Sequence, residues 1–188
     1  YKTLFKFDAI NITLGLKYLR VSPDHGVAHN LIGKNKADET SLLKCILGLL
    51  EVKSGSISVD NKNINDLILK ERAKKMAYFA QGAPIYWPLT VENVVGLGRV
   101  PHLNQWQKIS EDDEKIIESA MEKTNCISLK GRLVTSLSGG ERARVLLARA
   151  LATRAPYIMA DEPVASLDPA HQLQVMEILK KLSNNEFK

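Results

Sequence analysis

Residues 136–168 decide the fold. They read Ser136-Leu137-Ser138-Gly139-Gly140-Glu141-Arg142, an apolar stretch, Tyr157-Ile158-Met159-Ala160-Asp161-Glu162-Pro163, and then Ser166-Leu167-Asp168. Ser138-Gly139-Gly140 opens a predicted helix over 138–152, whose free N–H groups and positive dipole end can hold an anion. Residues 157–160 are a short apolar run suited to a buried parallel strand, predicted over 156–161. That strand delivers Asp161 and Glu162 to its C-terminal end, where ligands of open α/β sheets bind. Neighbouring strand residues point to opposite faces, so the two carboxylates take different roles.

This ordered set resembles the ATP-binding subunit of ABC transporters. Residues 137–141 are similar to the family's signature motif, 157–162 to its Walker B segment and 166–168 to its D-loop. The resemblance covers nearly the whole chain. Any one motif is weak, and a chance Ser-Gly-Gly turn beside a chance Asp-Glu pair is the competing reading of each. Their shared order and close spacing argue against chance.

The chain has 188 residues, enough for one domain with a sizeable core, and 45% of them are apolar. No run approaches the ~18 apolar residues of a membrane span; the longest, 42–50 and 145–152, are broken by Lys44 and Arg149. No signal-peptide pattern opens the sequence. A cytosolic protein is expected, or a cytosolic subunit docked on a membrane partner. The chain opens at Tyr1 without Met and ends at Lys188 just after a helical run, as expected of a piece of a longer protein. The net charge of +5 permits contact with nucleic acid or anionic lipid. Its cations are interleaved with acids, as in Lys70-Glu71-Arg72, and no aromatic-studded basic stripe is present, so no nucleic-acid partner is expected. Cys45 and Cys126 form no CxxC pair and are expected as reduced thiols in apolar settings. Of four scattered histidines, His25 and His29 have i,i+4 spacing but flank Gly26 in a predicted turn and strand, so no metal site is expected there.

Strands and helices alternate. Edge β-structure is predicted over 4–14, a turn and buried strand over 20–30, with strand 27–32 leading into Gly33, and an amphipathic helix over 40–51. Residues 56–61 alternate like a strand and end in a turn, and strand 76–80 is closed by Gln81-Gly82. Helical stretches are predicted near 90–98 and 111–124. Thr90 stands as an N-cap with Glu92 in the first turn, but Asn93 at the third position denies it a full capping box. Asp112, Asp113 and Glu114 crowd the start of the second stretch, where acids are favoured. A last helix over 169–182 opens on Pro169. Together with the resemblance, this implies an α/β fold: a P-loop NTPase core with a mainly parallel sheet, an antiparallel β edge subdomain and a helical insertion. The expected division is a core of 1–82 and 137–188 around a helical subdomain of 83–136, with the C-terminal part missing.

The phosphate loop departs from the family. Between strand 27–32 and helix 40–51 the chain reads Gly33-Lys34-Asn35-Lys36-Ala37-Asp38-Glu39-Thr40-Ser41. Gly33, Asn35, Ala37, Thr40 and Ser41 match the Walker A pattern, whereas Lys36 and Asp38 replace its inner glycines and Glu39 its lysine. Side chains at 36 and 38 obstruct close backbone approach to phosphate. Glu39 sets repulsion where attraction belongs, and at ~4 Å and an effective dielectric near 20 each such contact is worth ~4 kcal/mol before solvent relaxes. Lys34 and Lys36 offer charge, but from the wrong positions. Three readings stand: an altered stretch of sequence, a genuinely degenerate site, or a variant that holds ATP by other contacts. Tyr18 is a weak counterpart of the family's adenine-stacking aromatic.

The resemblance implies roles and partners. ATP and Mg²⁺ are the implied cofactors. Gly33, Asn35, Ala37, Thr40 and Ser41 would line the phosphates, and Thr40, Gln81 and Asp161 would hold Mg²⁺, although a plain helix N-cap is a rival role for Thr40. Glu162 would polarise the attacking water, against the competing reading of a capping or surface acid, and Gln81 would sense the γ-phosphate as the Q-loop. Ser138, Gly139, Gly140 and Glu141 would meet the ATP of an opposing subunit, with Asp168 at the seam. The implied partners are a second ATPase subunit (a homodimer or a paired one), transmembrane permease subunits and, indirectly, a substrate-binding protein. The implied location is cytoplasmic, peripheral on the inner face of the membrane. The switch His is expected beyond residue 188. Residues 87–95, 98–102 and 168–173 look most like importers of iron-chelate, haem or cobalamin type. Two alternatives remain: a hydrolysis-deficient or regulatory subunit with a dead Walker A side, and a soluble ABC ATPase outside transport.

Overall fold

The computed structural model describes residues 10–13, 18–23, 39–51, 56–80, 85–161 and 167–185, with side chains described for 43–51, 56–80, 85–160 and 167–181. Among the described residues four strands form one sheet: β1 (Ile10–Thr13), β2 (Tyr18–Pro23), β5 (Met76–Ala80) and β6 (Tyr157–Asp161), in the order β1-β2-β6-β5. The β2–β6 and β6–β5 pairs are parallel, and β1 pairs antiparallel with β2 at one edge. The predicted strands at 76–80 and 156–161 are found almost to the residue. Of the turn and buried strand expected over 20–30, residues 20–23 belong to β2, which begins earlier, at Tyr18; Tyr18 pairs with Ile158 and Arg20 with Ala160. The strand predicted over 27–32 lies outside the described residues.

Helix α1 (Glu39–Ile46) is shorter than the predicted 40–51. Its end is a Schellman turn: Gly48 takes φ +67, its N–H donates to Cys45 O, and the Leu49 N–H donates to Lys44 O. Apolar residues at 49 and 50 continued the helical pattern, but Gly48 turns the chain before they can join it, and both remain exposed. The segment 56–63 is a hairpin, β3 (Ser58–Val59) and β4 (Lys62–Asn63), around Asp60 and Asn61 at φ 51 and 62. Positive φ at both central residues matches the twist of the strands, and Asp and Asn tolerate it best after glycine. Asp60 also accepts from the Tyr157 hydroxyl at 2.7 Å and pairs with Lys75, which fastens the hairpin to β6 and to the end of α2 (Leu69–Lys75).

Helices α3 (Val91–Gly96) and α4 (Glu111–Lys123) lie between β5 and α5 (Gly139–Ala152), and α6 (Pro169–Asn185) follows β6. Thr90 does stand before α3, but its hydroxyl makes no cap bond; Glu92 reaches across to the Gly131 N–H instead, at 2.8 Å. Helix α4 has the capping box that α3 lacks: Ser110 Oγ accepts from the Asp113 N–H, and the Asp113 carboxylate accepts from the Ser110 N–H. Both faces of α5 are buried. Val145, Ala148 and Ala152 pack with Val91, Val94, Val95, Met121 and Val134, while Leu146, Leu147 and Ala150 pack with Phe79, Ile158 and Val175. A third cluster joins Leu43 and Leu47 of the α1 region to Ile64, Met76 and Met159.

The helical segment is fastened to α5 by a buried ion pair. Arg99 Nε donates to Asp113 Oδ1 at 2.8 Å, and Arg99 Nη1 donates to the Ala152 carbonyl, also at 2.8 Å. His102 Nε2 meets the Thr153 carbonyl at 2.8 Å. These contacts occupy carbonyls that the C-terminal turn of a helix leaves unpaired. The hydroxyl of Ser110 and the Arg99 guanidinium hold the Asp113 carboxyl down at about 2. Because the folded value lies below the unfolded one, the ionised carboxylate contributes its stability above about pH 4 and loses it as pH falls toward 2. Asp113→Asn is expected to cost about 2 kcal/mol at neutral pH, a fall in Tm of roughly 4–8 °C. In parallel thermal melts the gap to the parent chain is expected to close between pH 4 and pH 2.

Cys126 is fully buried, with its Sγ 3.2 Å from the Thr124 hydroxyl, and burial pushes its thiol above the ordinary range. Cys45 is only half-buried. A thiol reagent is expected to label Cys45 in the folded chain and Cys126 only after denaturation.

Candidate functional site

The sequence-predicted residues that are described lie at the C-terminal end of β6 and at the starts of three helices. Ala80 and Asp161 are directly opposed at the ends of β5 and β6. That register brings the position before Gln81 beside the position before Glu162. Gln81, Glu162, Gly33, Asn35 and Ala37 themselves lie outside the described residues. Thr40 and Ser41 fall in the first turn of α1, and Glu39 is its first residue.

Ser138 is the N-cap of α5, and Gly139 and Gly140 are its first two residues. The capping is reciprocal: Ser138 Oγ accepts from the Glu141 N–H at 3.3 Å, and Glu141 Oε2 accepts from the Ser138 N–H at 2.8 Å. The Ser138 side chain also hydrogen-bonds the Glu141 carboxylate, so the cap engages it on both sides. Helix geometry leaves the N–H groups of Gly139 and Gly140 without intrahelical acceptors, at the positive end of the dipole. Free amides at a helix start of this kind can hold an anion. Glu141 closes the cap from the other side. Its other oxygen accepts from Arg132 Nη1 at 3.1 Å, and the Ser138 N–H, ahead of Arg132, holds its carboxyl below the usual range.

Asp168 stands just before Pro169, at the start of α6. Its Oδ1 accepts from the N–H groups of Ala170 and His171, and its Oδ2 accepts from His171 Nδ1 at 2.5 Å. The His171 ring, then the backbone amides, lower its carboxyl from the ordinary aspartate value. The starts of α5 and α6 meet here: a Cβ built on Gly140 would fall 1.9 Å from His171 Cδ2. His171 and Arg132 were not singled out from the sequence. The available signal was the i,i+3 spacing of Asp168 and His171 across a helix start; Arg132 had none, because its carboxylate partner lies nine residues on.

Among the described residues no helix is long and apolar enough to cross a membrane, and no group of three or more His, Cys, Asp or Glu is placed to hold a metal ion.

Comparison with known proteins gives the family. The sequence profile described as "ABC transporter" matches residues 16–165. Over 156 residues the chain is 37% identical to the cobalamin import ATP-binding protein of Halobacterium salinarum, covering 83% of this chain and 39% of that protein. Over 162 residues it is 38% identical to the petrobactin import ATP-binding protein of Bacillus anthracis, covering 86% and 59%. The chain thus spans between 39% and 59% of the length of these two curated relatives. Among solved structures it is similar to the ATP-binding cassette MJ0796, a dimer in a post-hydrolysis state bound to ADP and Pi, with a TM-score of 0.68 at 27% identity over 79% of this chain and 66% of that one. On the profile match and these relatives, the chain belongs to the ABC transporter family, and within it is most like the ATP-binding proteins of cobalamin and iron-chelate import.

Proposed function

We propose that this chain is the ATP-binding and ATP-hydrolysing part of an importer's ATPase subunit, with 83–136 as its helical subdomain. The observation that carries the reading is the joint placement of Asp161 opposite Ala80 at the sheet edge and of Ser138 at a capped, glycine-led helix start. Phosphoryl transfer asks mainly for positioning and charge stabilisation, and these are the parts it uses. Glu162 polarises the attacking water. Thr40, Gln81 and Asp161 offer hydroxyl, amide and carboxylate oxygens, the hard donors Mg²⁺ takes, and the register sets the two strands leading to Gln81 and Asp161 side by side. Bound Mg²⁺ would supply positive charge against the phosphate oxygens. Gly33, Asn35, Ala37 and Ser41 line the subunit's own phosphates. Ser138, Gly139 and Gly140 donate to the γ-phosphate held by a second subunit, and Asp168 lies at that seam. Pairing is supported by the dimeric cassette of similar structure. The relatives' names support permease partners, a peripheral place at the inner face of the membrane, and a cargo of the iron-chelate, haem or cobalamin class.

A second reading is favoured by one residue. Glu39 heads α1. A carboxylate there suits the helix dipole but competes with phosphate for the same amides. The chain would then be the inactive half of an asymmetric pair, contributing Ser138–Gly140 to a competent partner.

Mg-ATP binding by calorimetry separates the two. The triple variant Lys36→Gly, Asp38→Gly, Glu39→Lys is expected to bind at least about tenfold tighter than the parent chain, since Glu39→Lys turns a repulsive contact of ~4 kcal/mol attractive, which exceeds the ~1.4 kcal/mol of a tenfold change, and the glycines reopen the loop to phosphate. Equal affinity would show that the loop holds phosphate through its backbone or through Lys34 and Lys36. In the subunit that hydrolyses ATP, Glu162→Gln is expected to abolish turnover while sparing binding; unchanged hydrolysis would remove Glu162 from the role.

A further inference from the structure

One imidazole joins the two motifs that face the opposing subunit in the reading above. Gly140 lies inside the first turn of α5 with ordinary helical backbone, so conformation does not demand glycine there; space does. A Cβ at this position would fall 1.9 Å from His171 Cδ2, 2.4 Å from Cγ and 2.6 Å from Nε2. The ring sits directly over the residue and is only about a third exposed. Its Nδ1 simultaneously meets Asp168 Oδ2 at 2.5 Å, and the Gln172 side chain holds the Leu167 carbonyl at 2.8 Å. Further along, Arg144 Nη1 donates to Gln174 Oε1 at 3.1 Å, so α5 and α6 are tied at more than one level.

We propose that His171 is a positioning residue that couples the Ser138-Gly139-Gly140 turn to Asp168, so that the two segments move as one piece. Gly140 is then required as the floor for the ring, in addition to any approach of phosphate. The consequence for a paired ATPase rests on the function proposed above: a shift of the anion cradle would be handed to Asp168 within the same chain. The coupling itself needs neither nucleotide nor partner, so it is tested without them.

Two measurements on the whole chain decide it. The first is thermal melting of Gly140→Ala, His171→Ala and the double variant. With the ring present, Gly140→Ala is expected to lower Tm by about 5 °C. With the ring removed, the same change is expected to raise Tm by roughly 2 °C, because alanine is the better helix former. A loss of equal size in both backgrounds, or a double variant that fails to fold, would overturn the contact; a Gly140→Ala chain that unfolds and is rescued by His171→Ala would support it. The second is NMR titration of the Asp168 carboxyl carbon, which a merely structural packing role would not move. Gly140→Ala, which alters neither Asp168 nor His171, is expected to shift the Asp168 midpoint upward toward the ordinary aspartate value, and as far as His171→Ala shifts it. An Asp168 midpoint unchanged by Gly140→Ala would overturn the coupling. Neither result depends on whether the phosphate loop binds ATP.

Discussion

The Arg99–Asp113 pair is the interaction on which the arrangement of the helices depends. Burying two charges is costly unless they are paired and hydrogen-bonded, and here they are: Arg99 to Asp113 and the Ala152 carbonyl, Asp113 to Arg99 and Ser110. Arg99 answers a carboxylate on one side and a helix-end carbonyl on the other. Asp113 answers Arg99 while it closes the capping box of α4. One contact thereby links the start of α4, the segment after α3 and the end of α5. Truncating either partner strands the other charge in a site with little access to water. The cost then greatly exceeds that of losing an exposed pair such as Lys115–Asp112.

What this linkage holds in place is α5, a helix with two jobs. Its apolar residues are divided between two cores, one under the helical segment and one against the parallel sheet. Its first turn, led by Ser138, Gly139 and Gly140, is the proposed anion cradle. A helix packed on both faces and fastened at its C-terminal end has little freedom to tilt, so the N–H groups of Gly139 and Gly140 keep a fixed direction. Preorganised donors of this kind are effective toward phosphate because little reorganisation accompanies binding. The hairpin latch of Asp60 with Tyr157 and Lys75 does similar service for β6, whose far end carries Asp161.

Much of this was legible in the sequence. The strands at 76–80 and 156–161 announced themselves as short apolar runs between turn residues. The helix at 138–152 did so by Ser-Gly-Gly followed by apolar residues at helical spacing. The errors have local causes. Leu49 and Leu50 extended an apolar period past Gly48, and periodicity alone does not register that a glycine in the left-handed region ends a helix. Residues 20–23 carry mixed polar and apolar side chains, so the strand there has no sequence signature; backbone pairing with β6 makes it. Thr90 was placed correctly as a helix start, yet its hydroxyl does not cap, because capping depends on a side-chain rotamer that neighbouring contacts decide.

By itself the sequence determined the family, the order of the motifs and the chemical type of each candidate residue, since these depend on residue identity and on spacing along one element. Only the tertiary structure decided which residues touch across elements. Arg99 with Asp113 and with the end of α5, Arg132 with Glu141, and His171 over Gly140 span from 9 to 53 residues of chain. No local pattern encodes such pairs, because helix and strand periods fix which face a side chain occupies and not what that face meets. The packing of α5 between two cores sets those meetings.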